Sequence, residues 1–217
     1  MTLSLAYAEE EDDGVADEER VRIHALPRVI DLDGAEAAAH ALLRALGIDP
    51  DDPDAPDLAR TPARFAAAYA ELLSPQPFDF TTFANADGYD ELVLVRDIPV
   101  HSICEHHLLP FSGVAHVAYL PSDRVVGLSK IPRMVDHFSR RPQTQERLTV
   151  QVADALTLHL QPRGVGVVVE ASHSCMTLRG ARAGGAVTKT SALRGVLRED
   201  ARSRAEFLAL VTERGAR

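Results

Sequence analysis

Residues 101–111 read HSICEHHLLPF and set a thiol, a carboxylate and two adjacent imidazoles between apolar flanks. The chain has two cysteines, Cys104 here and Cys175 in SHSCM. Cys104-x-x-His107 is a spacing that lets two side chains hold one ion from a strand end or a tight turn, and zinc accepts both thiolate and imidazole. Cys175, 68 positions beyond His107, is the other sulfur able to complete such a site. Two thiolates and one imidazole leave a fourth position for water, the pattern of catalytic rather than structural zinc. The plainer reading is that both cysteines are small buried hydrophobes. Spacing alone leaves the two readings open, although His106, His107 and His173 beside the cysteines favour the metal. His106 and His173 are also the spare acid/base groups, since an imidazole near a metal-bound water moves protons at neutral pH. On a continuous strand, residues 173 and 175 would share a face. His101, His116, His137 and His159 read as structural.

The elements that must position these groups follow from periodicity. An Ala/Leu-rich helix is predicted over Leu32–Leu46, stopped by Gly47 and Pro50. A second starts at TPAR, with Thr61 as N-cap and Pro62 in the first turn, and runs to Leu73. The period then changes to two: residues 91–103 and 113–121 read as strands. Helices are predicted near Ser129–Arg140 and over Thr144–Leu160. GVVVEASHSCMTL and VTKTSALRGVL read as two more strands, and a last helix near Ala201–Glu213 follows Asp200 as cap. The order β-β-α-α-β-β implies an α+β fold, a four-stranded antiparallel sheet with helices on one face. So small a sheet keeps unpaired edges, which predicts oligomerisation through them.

Composition bounds the rest. At 217 residues, one core and one domain over 29–217 are expected. Residues 9–19 hold eight acids and no base, and residues 1–28 are expected to form an acidic, disordered tail. Without those eight, the chain's 32 acids fall to 24 against 23 Lys plus Arg, so the folded part is near neutral. No basic stripe interleaved with aromatics appears, and Trp is absent, which argues against nucleic-acid binding. No apolar run reaches membrane-spanning length, and the N-terminus lacks a basic start and sustained apolar stretch. A cytoplasmic setting with both cysteines reduced is the expectation.

Four separated motifs, CEHHLLPF (104–111), GLSKIPR (127–133), RRPQTQERLT (140–149) and HSCMTLRG (173–180), resemble in sequence and order the GTP cyclohydrolase I family. The resemblance extends over about residues 32–214. It implies Zn2+ on Cys104, His107 and Cys175, catalytic roles for His106 and His173, and Gln145 and Glu146 on the guanine edge. A carboxylate can accept two N–H donors from guanine; alone, Glu146 would read as a helix-start acid stabilised by the macrodipole. Arg64, Ser129, Lys130, Arg133 and Arg179 match the triphosphate side, where basic groups at a helix start suit a polyanion. Without the resemblance, Lys130 and Arg133 would read as a solvated face. The family carries a further lysine where this chain has Ala67.

The implied reaction opens the GTP purine ring at C8, releases formate and ends in 7,8-dihydroneopterin triphosphate. The implied architecture is the tunnelling fold, a homodecamer whose sheets join into a barrel with sites between subunits. Two rivals stand beside it. One is a same-fold paralogue acting on another nucleotide or halting at an opened ring; the other is a non-catalytic nucleotide-binding zinc oligomer.

Overall fold

A computed structural model describes residues 18–24 and 29–213. In chain order the elements are β1 (Glu18–Ile23), α1 (Leu32–Ala45), a 3-10 turn (Pro56–Leu58), α2 (Thr61–Leu72), β2 (Phe78–Ala84), β3 (Val93–Cys104) and β4 (Pro110–Leu120). There follow β5 (Arg124–Val126), α3 (Lys130–Ser139), β6 (Pro142–Gln143), α4 (Gln145–Leu160) and β7 (Gly164–His173). The chain ends in α5 (Ser174–Thr177), β8 (Thr188–Gly195), α6 (Val196–Glu199) and α7 (Ala201–Thr212).

The predicted strand–helix order is present in β3-β4-α3-α4-β7-β8, and the sheet has the spatial order β6-β3-β4-β7-β8. The long strands pair antiparallel; the two-residue β6 adds to β3 in parallel, Cys104 opposite Gln143. Alternation explains the core. Ala115, Val117 and Tyr119 of β4 and Val165, Val167 and Val169 of β7 point to one face. There they meet Ile131, Met134 and Val135 of α3 and Leu148, Val152 and Leu156 of α4. Burying each such side chain is worth about 1.5–3 kcal/mol, which fixes where α3 and α4 lie over the sheet.

Several expectations are refined. Helices were expected on one face, and α3 and α4 take it, but α6 and α7 also cover part of the other: Leu197, Phe207 and Val211 pack on Ala118 and Val168. Gly166 permits this, because a Cβ there would lie 2.8 Å from the Phe207 ring. The expected tail of residues 1–28 contains β1, which pairs with β2 from Glu18↔Phe83 to Ile23↔Phe78 and buries Ile23. Backbone pairing and that apolar end outweigh the strand's charges. Residues 1–17 and 25–28 lie outside the described ones. With β5 these two strands make a separate three-stranded sheet.

The chain packs as two compact units. Leu26–Ser74 forms one compact unit, holding α1, the 3-10 turn and α2, and the remainder forms another. In the smaller unit Asp31 caps α1 by accepting from Gly34 N at 2.8 Å. Arg60 stands at the α2 N-cap position without a side-chain cap bond, so Thr61 is already helical rather than the cap. An apolar cavity of about 340 Å³ in this unit, lined by residues including Ile30, Phe65, Tyr69 and Leu73, offers no histidine, cysteine or carboxylate. Among the described residues no helix is long and apolar enough to cross a membrane.

Candidate metal centre

The metal loop is the β3–β4 connection. Cys104 closes β3, and the chain turns back through Leu108 N donating to Cys104 O (2.8 Å) and Cys104 N donating to Leu109 O (2.9 Å). Leu108 takes the left-handed conformation, φ 53°, that so short a reversal requires. Cys175 reaches the same place by a route the sequence reading did not foresee. The strand expected to run through residue 175 ends at His173, and Cys175 sits in the one-turn helix α5. His173 and Cys175 therefore do not share a strand face.

The ligand atoms of Cys104, His107 and Cys175 all lie within 4.8 Å of one another. Cys104 Sγ is 3.8 Å from His107 Nδ1. A thiolate and an imidazole on one tetrahedral zinc stand roughly 3.6 Å apart, from bond lengths of about 2.3 and 2.1 Å. Both cysteines are unpaired by disulfide. Burial and then the neighbouring Cys104 sulfur push the Cys175 thiol above its ordinary pKa. Two sulfurs facing each other in this way resist ionising together unless a cation lies between them, and one buried, one intermediate and one exposed ligand leave the group open on a side. The donor set fits a divalent metal with a vacant position. His106 stands beside it, Nδ1 3.9 Å from Cys104 Sγ, with its ring mostly exposed.

His173 is held differently. Its ring stacks on Phe111, centroids 4.5 Å apart and planes 11° from parallel, and its Nε2 lies 2.8 Å from Gln145 Oε1. The Gln145 amide is oriented by what surrounds it: Nε2 donates to Val169 O (3.0 Å), Thr188 O (2.9 Å) and Thr190 Oγ1 (3.2 Å). With the amide nitrogen facing those acceptors, Oε1 must accept from His173, so the ring proton is on Nε2 and Nδ1 carries the lone pair. Burial lowers the pKa of His173 and Glu146 partly offsets this, leaving a neutral imidazole at neutral pH.

Gln145, which the resemblance sets on the guanine edge, is 1% exposed, and its amide nitrogen donates inside the chain. Glu146, next to it in the first turn of α4, is exposed. Arg179 is exposed and close enough for its charge to act on Cys175. Ser129, Lys130 and Arg133 gather at the head of α3, where Lys130 acts electrostatically on Glu18 and Asp79 of the smaller sheet. Arg64 is exposed on α2 and belongs to the other unit, as does Ala67. The sequence reading missed Arg147 and Glu105, which join the metal loop to α4; opposite charges 42 residues apart carry no local signal.

The family model for GTP cyclohydrolase I matches residues 35–212. The chain belongs to the GTP cyclohydrolase I family. It is 54% identical over 193 residues to GTP cyclohydrolase 1 of Mycobacteroides abscessus, covering 87% of this chain and 93% of that one. The GTP cyclohydrolase 1 of Mycobacterium leprae is 54% identical over 189 residues (85% and 91%), and that of Mycobacterium tuberculosis 52% over 189 (85% and 92%). Among solved structures, the apo archaeosine synthase QueF-Like aligns with TM-score 0.41 and 22% identity over 48% of this chain and 93% of that one, too slight a likeness to carry an argument. GTP cyclohydrolase I is a hydrolase family, and the α+β arrangement described above is its tunnelling fold.

Proposed function

We propose that this chain hydrolyses GTP at C8 of the purine ring, releasing formate and forming 7,8-dihydroneopterin triphosphate. The observation that carries the reading is the convergence of Cys104, His107 and Cys175 from two distant segments onto one open group, in a chain of this family. Zn2+ is the ion that suits two thiolates and an imidazole, and when bound it lowers the pKa of a coordinated water toward about 7 and so supplies the nucleophile.

The chain's own residues do the rest. His173, neutral and locked with its proton on Nε2, offers Nδ1 to take up or hand on a proton as ring bonds break. His106, mostly exposed, exchanges protons with solvent beside the loop. Glu146 accepts the guanine N1–H and 2-amino hydrogens. Lys130, Arg133 and Ser129 at the head of α3, with Arg179, bind the triphosphate; Arg64, on its own unit, is a further cation of the kind a phosphate takes. Gln145 orients His173 rather than the substrate.

The assembly is a homo-oligomer, a decamer by family resemblance, acting in the cytoplasm. Its support is that β8 pairs only with β7 among the described residues, and β3 is flanked on its outer side only at Ile103 and Cys104, by β6. Such edges close by pairing with another copy. Incubating the purified protein with GTP and following formate and pterin fluorescence together tests the reaction. Both products are expected; formate without fluorescence would indicate a halted reaction, and tight GTP binding without formate a non-catalytic binder.

A further inference from the structure

Arg147 has no part in the proposed chemistry, yet its side chain bonds to three groups around the metal loop. From the first turn of α4 its Nε donates to Gln143 Oε1 (2.8 Å), and its Nη2 donates to Pro142 O (3.0 Å) and to the Glu105 carboxylate. Gln143 is itself fixed: it is fully buried, and its Nε2 donates to Phe138 O (2.8 Å) and Gln151 Oε1 (2.7 Å). Glu105 lies between Cys104 and the two histidines. It is tied twice, through its backbone N to Gln143 O (2.9 Å) and through its side chain to Arg147. The other carboxylate oxygen faces His106, 3.9 Å from Nε2. A loop whose turn depends on a leucine in the left-handed region gains nothing from its own backbone preference. Its shape has to be imposed from outside, and the groups that impose it are on β6 and α4.

Resting on the metal reading above, we infer that Arg147 is a positioning residue for the metal centre: through Glu105 it anchors the Cys104–His107 loop to α4 and keeps those two ligands preorganised. Partners that orient ligands in this way change metal affinity by about 10- to 100-fold when removed. The ion pair itself is partly exposed, with side chains 41% and 31% accessible, so it adds little to the stability of the metal-free fold.

The test is zinc transfer from the zinc-loaded, full-length protein to a competing chelator, with the melting temperature of the zinc-free protein measured alongside. Glu105→Gln keeps the shape of the loop and removes the charge; Arg147→Met removes the guanidinium. Each is expected to raise the zinc dissociation constant about 10- to 100-fold, and the double variant no further than the single ones, while the zinc-free Glu105→Gln protein melts within a few degrees of wild type. Zinc held as tightly by Glu105→Gln as by wild type would overturn the inference alone. So would a zinc-free melting temperature that falls in step with affinity, the mark of a merely structural pair. A wild-type chain that takes up no zinc would overturn the metal reading and this inference together.

Discussion

Replacing Gln145 by leucine, close to it in volume, separates two roles that one residue cannot hold at once. The substitution removes three donor contacts and the acceptor for His173. Thr190 Oγ1 keeps Thr149 Oγ1 as a partner at 2.6 Å, so the groups left without their Gln145 bond are Val169 O, Thr188 O and the His173 Nε2–H. At about 1 kcal/mol for each, the low end for orphaned buried groups, the fold loses about 3 kcal/mol. For a chain of this size that lowers Tm by roughly 6–12 °C, which scanning calorimetry reads directly. The His173 ring, still stacked on Phe111 but no longer held in one tautomer, loses its set proton position. Proton transfer by a placed side chain is worth about 10²–10⁴ in rate, so kcat is expected to fall at least 100-fold with KM for GTP little changed. Zinc content should stay at the wild-type level, because Gln145 is not one of the three grouped ligands. The opposite pattern, KM raised with kcat preserved, would mean that Gln145 does contact guanine and would refute the argument from its buried amide.

Cys175→Ser, which exchanges a soft ligand for a poor one, should leave purified protein with little bound zinc by elemental analysis and no formate release. Glu146→Gln should raise KM for GTP roughly 10-fold or more, the loss of a charge-assisted contact, with zinc and Tm unchanged. Gly166→Val would press its side chain on the Phe207 ring, 2.8 Å from even a Cβ, and is expected to cost about 1–3 kcal/mol in urea unfolding. Burial lowers the pKa values of His116, His137 and His159 below 6.5. The unfolded chain then binds more protons than the folded one as pH drops, so their contribution is whole above about 6.5 and is lost below it. Each contributes a slope of up to about 1.4 kcal/mol per pH unit. Unfolding at pH 7.5 and 5.5 should show the lower stability at 5.5, and equal stabilities would refute the assignment.

The grouping of Cys104, His107 and Cys175 was legible because two cysteines in the whole chain, one of them in Cys-x-x-His, leave few ways to assemble a sulfur site. The long strands and α4 were legible too: Val165, Val167 and Val169 alternate, and Leu148, Val152 and Leu156 repeat at helical spacing. What escaped was set by distant partners. β1 exists because Val21 and Ile23 find Phe80 and Phe78 some 55 residues on, and its charged neighbours hide it locally. The strand through SHSCM reads well by β-propensity, yet Ser174–Thr177 coil into a turn that brings Cys175 to Cys104. Gln145 looks like any polar helix-start residue until β7 and β8 place carbonyls around it.

Under the proposed function, the stacking of His173 on Phe111 also sets a schedule for the two histidines. A ring pinned flat on one side and tethered at one nitrogen has a single working direction and must wait for whatever it serves to arrive there. His106, mostly open to water, can reload between turnovers without disturbing that alignment. In the proposed reaction, stationary partner and replenishing partner would thereby be set by packing, before any substrate enters.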